Sequence, residues 1–154
     1  MKRIGVLVAL VVLVAWSAAL HAEKAERKAG RQYIKLGDPE RAALPFSDAV
    51  LVGDTLYLAG NIGLDPETGK PPADPKAEAR LALDGLQRTL AKAGMSMDNL
   101  VYVQVFCSDV ALYDDFNAVY RTYFKKEFPA RAFIGSGPLL RGGRFEVQGI
   151  AVKR

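Results

Sequence analysis

Apolar residues change their spacing several times along the chain, and each change marks an element. In DAVLVGDTLYLAG, Val50 and Val52 alternate, Gly53-Asp54 supplies a two-residue turn, and Leu56 and Leu58 alternate after it, which predicts a β-hairpin. The segment GLDPETGKPPADP follows, where prolines and Gly69 exclude regular structure. The period then becomes helical. Asp74 is placed as an N-cap with Pro75 in the first turn, and Ala79, Ala82, Leu83, Leu86, Leu90 and Ala93 share one face before Gly94 ends the helix. LVYVQVFC reads as the next strand. A second helix, from about 113 to 124, would bury Phe116, Val119, Tyr120, Tyr123 and Phe124, and aromatics at this spacing read as core. Two last strands, near 131–136 and 144–152, flank GPLLRGG. With RQYIKL as a possible first strand the order is β-β-β-α-β-α-β-β, which predicts an α+β fold, two helices packed on one face of a mixed sheet.

The first 22 residues fit no part of that pattern. MKRIGVLVALVVLVAWSAALHA has two cations, an apolar run from Ile4 to Trp16 and then small residues, the layout of a secretory signal peptide cleaved after Ala19 or Ala22. An uncleaved anchor is the alternative, the run being at the short end of a bilayer span. The expectation is a periplasmic or secreted protein with no membrane attachment after cleavage. Residues 23–43 then form a polar leader with the possible first strand, and residues 44–154 the folded domain.

Cleavage also alters the chemistry. It removes Lys2 and Arg3 and no acid, so the formal charge falls from +4 to +2. Near balance gives no electrostatic case for a nucleic-acid partner or an anionic membrane. The single histidine, His21, lies in the peptide or its flank, so a histidine base, a Ser-His-Asp triad and a histidine-bearing metal site are excluded from the folded domain. One cysteine, Cys107, excludes an internal disulfide and a cysteine-rich metal site, and its apolar surroundings read as those of a buried thiol. No metal and no cofactor is expected.

The final strand presents Phe145, Val147, Gly149 and Ala151 on one face, expected to meet the helices, and Arg144, Glu146, Gln148 and Ile150 on the other. The polar set is either a solvated face or, with Ile150, Val152 and the Arg131, Phe133, Gly135 parity of the neighbouring strand, an oligomer interface containing a polar site. In EFPARAFIG, Arg131 runs straight into an apolar segment. A desolvated guanidinium needs a partner, so Arg131 has either an internal carboxylate or a ligand that carries one. Periodicity by itself favours a structural Arg131–Glu146 ion pair over a catalytic one.

The segments LPFSDAVLVGDTLYLAGNIGLDPETG, VQVFCSDVALYDDFNAVYRTYF, FPAR and FEVQGIAV, in this order and spacing over residues 44–152, resemble the reactive intermediate deaminase (RidA, or YjgF) family. The resemblance implies a homotrimer of the chorismate-mutase-like α+β fold with ligand clefts between subunits. It implies that Arg131, of the PAR motif, binds the carboxylate of a small-molecule 2-imino acid. Glu146, fifteen positions on, would position a water that attacks the imine carbon, giving a 2-keto acid and ammonia. Holding an electrophilic imine against an oriented water supplies much of such an acceleration.

Phe46, Gly60, Asn117 and Phe133 fall at substrate-binding positions by the same resemblance. Asn117 matches the family pattern, whereas Phe46 replaces a tyrosine, Ala59 and Ala132 replace serines, Phe133 a small residue and Gln148 a second glutamate. These changes remove hydrogen-bond partners for small polar imines and cost an apolar imino acid less, or Phe133 fills the pocket. Two function classes stay open: an imine hydrolase, or a non-catalytic trimer that binds small carboxylate metabolites or acts as a holdase. Ribonuclease activity, described for some relatives, is disfavoured by the charge balance and the lack of a folded-domain histidine.

Overall fold

The described residues form eight principal elements in the expected order: β1 (Arg31–Ile34), β2 (Ala49–Val52), β3 (Thr55–Ile62), α1 (Pro75–Lys92), β4 (Leu100–Cys107), α2 (Tyr113–Tyr120), β5 (Ala130–Gly135) and β6 (Phe145–Val152). The computed structural model describes residues 30–37 and 43–153. The segment read as a signal peptide, 1–22, and most of the polar leader lie outside the described residues. Among those described, no helix is long and apolar enough to cross a membrane.

The strands form one six-stranded sheet in the order β1-β2-β3-β6-β4-β5. Every pairing is antiparallel except β4 with β5, which run parallel because α2 carries the chain back between them. Both helices cover one face. Leu56, Leu58, Val103, Val105, Cys107, Phe145, Val147 and Ala151 of that face are buried against Ala79, Ala82, Leu83, Leu86 and Leu90 of α1 and Phe116 of α2. This single core follows from period-2 strands meeting period-3.6 helices, and full burial of each Leu or Phe is worth about 1.5–3 kcal/mol. Alternation also decides the hairpin: Ala49 and Leu51 point inward, while Val50 and Val52 belong to the outer face.

The caps agree with the sequence. Asp74 accepts hydrogen bonds from the amides of Lys76 and Ala77 at 3.0 and 3.3 Å, and Gly94, at φ +70°, closes the helix end in a conformation that β-carbon-bearing residues rarely adopt. The second helix is shorter than expected: α2 stops at Tyr120 and the chain tightens into a 3-10 turn over Arg121–Tyr123. The turn leaves Tyr123 only half-buried, and its hydroxyl donates to Asp84 of α1 at 2.6 Å.

Arg144 is a correction. Expected on the polar face of the last strand, it lies just before β6 and turns to the helix side. There its Nε donates to Glu78 Oε2 at 2.5 Å, and its other nitrogens donate to the carbonyls of Ala73 and Pro72. Glu78, in the first turn of α1, is fully buried and also accepts from the amides of Arg144 and Phe145. A buried carboxylate is tolerated only with this degree of pairing.

Candidate active site

Arg131 and Glu146 occupy opposite faces of the sheet. In the parallel β4–β5 register, Arg131 sits beside Val103 and Phe133 beside Val105, both on the helix side. Glu146 stands opposite Ile62 and Phe106, on the outer side. The expected common face for these residues, and the ion pair between them, are therefore corrected. Parity along one strand does not say which face it shares with its neighbour; the pairing register does.

On the helix side, Arg131 is half-buried at the edge of the core. Its Nη2 donates to Asn117 Oδ1 at 2.7 Å. Its guanidinium lies over the Tyr120 ring at 4.5 Å from the centroid, with Tyr113, Phe133 and Phe116 at 5.8, 5.9 and 6.0 Å. Such ring faces favour a cation without neutralising it. Among the described residues no carboxylate pairs with Arg131; the ion pairs there are Lys76–Asp115 and Arg144–Glu78. It opens on a cleft of about 290 Å³ lined by Tyr113, Asn117, Tyr120, Arg121, Phe128, Pro129 and Arg131 itself. The cleft contains two guanidiniums and no acid.

The rings around Arg131 lock each other. Phe133 meets Tyr113 edge-on, centroids 5.0 Å apart, and Phe116 at 5.6 Å, so it packs behind the cleft instead of filling it. The hydrogen bond to Asn117, and then the charge of Arg131, hold the exposed Tyr113 phenol below its ordinary pKa. Tyr120 behaves oppositely: burial pushes its phenol up to about 12, against a smaller opposing pull from Arg131. Its hydroxyl is buried without a hydrogen-bond partner. Desolvation likewise raises the thiol pKa of Cys107, which is fully buried and donates to the Asp109 carbonyl, a structural role.

On the outer side, β3 carries a bulge between Leu58 and Asn61. Glu146 lies directly over Gly60, where an added β-carbon would collide with its carboxylate. Gly60 is thus the seat of Glu146, and the pair belongs together as the family positions suggest. Phe46 is half exposed on the turn before β2. The same face continues through Tyr57, Val52 and Tyr33, all substantially exposed, with Ile150 and Tyr102 beside Tyr57. Within one subunit the structure therefore divides the expected site in two: Arg131, Asn117 and Phe133 on one side, Glu146 and Gly60 on the other. Among the described residues no cluster of His, Cys, Asp or Glu could hold a metal ion. A second depression, about 330 Å³ around Ser108, Ser136 and Leu139, has no charged side chain in its lining.

Tyr113, Arg121, Phe128 and Glu78 were not among the residues expected to matter, and Tyr120 was read as core alone. A signal for the first group exists: Tyr113, Asn117, Tyr120 and Arg121 recur at helical spacing, one stripe of α2 turned toward β5.

Such a fold, with a guanidinium held at the mouth of a ring-walled cleft, defines a small α+β domain with a cationic cleft at the sheet edge. Residues 38–153 match the family model described as Endoribonuclease L-PSP. The chain belongs to this family, that of the RidA and YjgF proteins. It is 37% identical over 124 residues to the 2-iminobutanoate/2-iminopropanoate deaminase of Bos taurus, covering 80% of this chain and 90% of that protein. The crystal structure of the YjgF gene product of E. coli superimposes with a TM-score of 0.74 at 30% identity, over 80% of this chain and 99% of that one. That of E. coli TdcF with bound serine gives 0.69 at 28% identity, over 72% and 90%.

Proposed function

We propose that this protein hydrolyses 2-imino acids to 2-keto acids and ammonia, in a site shared between subunits of a homotrimer. The observation that carries the reading is Arg131: a half-buried guanidinium facing a cleft, donating to Asn117 and paired with no carboxylate among the described residues. Its remaining N–H groups suit a two-pronged grip on a substrate carboxylate. The deaminase relatives, and a relative that holds an amino acid, support that choice of ligand.

The chemistry needs a water beside the imine carbon. Glu146 of a neighbouring subunit, seated over Gly60, takes a proton from that water as its oxygen bonds to the carbon. The proton passes to the imine nitrogen to give a carbinolamine; its hydroxyl proton then moves through Glu146 to the amine, the C–N bond breaks, and ammonia leaves as the carbonyl forms. Since Arg131 and Glu146 lie on opposite faces of one sheet, they can meet only across an interface. The exposed apolar face around Tyr57, Val52 and Tyr33 is the surface expected to be covered in the trimer.

Mixed assembly tests this directly. Arg131→Ala and Glu146→Gln trimers should each be inactive toward imino acids. Co-assembled at equal ratio, they should regain about a quarter of wild-type activity, because random mixing pairs an intact Arg131 with an intact neighbouring Glu146 at one site in four. No recovery would place both residues in a single-subunit site and remove the shared arrangement. Wild-type turnover by Glu146→Gln alone, with carboxylates still bound, would make the protein a carboxylate-binding module instead.

The export signal read in residues 1–22 is proposed to place the mature protein in the periplasm or outside the cell. Intact mass of the exported form should begin at Leu20 or Glu23; retention of Met1 on membrane-bound protein would replace this with the anchor.

A further inference from the structure

We infer that the Arg131 cleft selects 2-imino acids with aromatic or bulky apolar side chains over those with small, hydroxylated or acidic ones, with Tyr113, Tyr120 and Phe128 as the wall that makes the choice. The inference rests on the deaminase reading for its catalytic half and on the cleft alone for its binding half. Tyr120 covers one face of the Arg131 guanidinium at 4.5 Å, and its N–H groups point outward in the plane, so a carboxylate is gripped along the guanidinium edge. One edge nitrogen is already committed to Asn117. A ligand held in that plane carries its side chain into the space bounded by Tyr113, Phe128 and Pro129.

That space is lined by rings fixed in place. Tyr120 and Phe128 stand nearly parallel, 21° between planes and 6.2 Å between centroids, and Phe124 braces both at 4.7 and 5.5 Å. Phe133 pins Tyr113 from behind. Two polar groups of the cleft are closed to a substrate hydroxyl. The oxygen of Asn117 accepts from Arg131, and the Tyr120 hydroxyl is sealed from solvent. A hydroxylated side chain would find only the exposed Tyr113 hydroxyl and Arg121, groups that water also solvates, whereas a phenyl or isobutyl group would bury apolar surface against preorganised rings. Apolar pockets discriminate by roughly 10- to 200-fold per added group of this kind.

The test uses the full mature protein, with imino acids generated in place by an amino-acid oxidase from Phe, Leu, Ala, Ser and Asp, and keto-acid release followed. In parallel, calorimetry measures phenylpyruvate and pyruvate binding. The expected result is a kcat/KM at least about 10-fold higher for the Phe- and Leu-derived imines than for the Ala- and Ser-derived ones. Phenylpyruvate should bind tighter than pyruvate by a similar factor. Phe128 is half exposed, so Phe128→Ala should fold normally and shrink both preferences. Equal or greater efficiency with the Ala- or Ser-derived imine overturns the selectivity while leaving the deaminase reading intact. An Asp-derived imine that is fastest, held by Arg121, does the same. Hydrolysis of none, with phenylpyruvate still preferred and the preference lost in Phe128→Ala, overturns the deaminase reading and supports the ring-walled cleft.

Discussion

Two arginines, Arg144 at the head of β6 and Arg131 in β5, both lie on the helix side of the sheet and have opposite surroundings. All three guanidinium nitrogens of Arg144 donate to protein acceptors, two of them the main-chain carbonyls of the loop before α1. Its carboxylate, Glu78, is fully buried and takes two backbone amides as well. Arg131 donates to Asn117 and has a bed of aromatic rings and an open cleft. A charge with every guanidinium nitrogen engaged is part of the frame, because any change there leaves a buried partner unpaired. A charge with donors to spare costs the frame little and can wait for a ligand. Residue type does not separate the two; saturation does.

The comparison breaks most visibly in stability. Glu78→Ala should cost about 3–5 kcal/mol, since it strands the Arg144 charge and two amides at once. Urea unfolding measures this, and a loss below about 1 kcal/mol would mean that water replaces the node and that the two arginines are alike. Arg131→Ala should do the reverse. Its stability loss should stay near 1 kcal/mol, from the ring contacts and the Asn117 bond, while imino-acid turnover falls about 100-fold or more. A variant that unfolds instead would place Arg131 in the frame with Arg144.

The smallest effect sharpens the picture of the cleft wall. Tyr120→Phe removes a buried hydroxyl that has no partner, so stability at neutral pH should change by less than about 1 kcal/mol. At alkaline pH the same variant should differ from wild type. Burial raises the Tyr120 phenol in the folded state from 10 to about 12, so the native chain holds that proton more tightly than the unfolded one. Its contribution is therefore complete below about pH 10 and lost as pH rises toward 12. Burial and the Asp84 hydrogen bond raise Tyr123 as well, so Tyr120→Phe should flatten only part of the alkaline fall seen by thermal melts. An unchanged alkaline profile would show that the Tyr120 hydroxyl reaches water.

Local pattern by itself determined the element order, the hairpin turn, the Asp74 cap and the inward faces of β6 and α1. Each depends on a period or a side-chain bond spanning a few residues, which the chain carries wherever it goes. The family motifs likewise pointed to Arg131, Glu146, Gly60 and Asn117 as a set. Tertiary structure alone decided how that set is arranged. The parallel register of β4 with β5 turns Arg131 toward α2, and the antiparallel register of β6 with β3 and β4 turns Glu146 away, so residues of one expected face stand on two. Glu78 shows the same limit. It sits one place before Ala79 at the edge of the apolar stripe, a position that reads as solvent-facing until the chain from 143 to 145 arrives over it with an arginine and two free amides. Periodicity is a property of one segment; register and charge saturation belong to pairs of segments far apart in sequence, and only folding brings those pairs together.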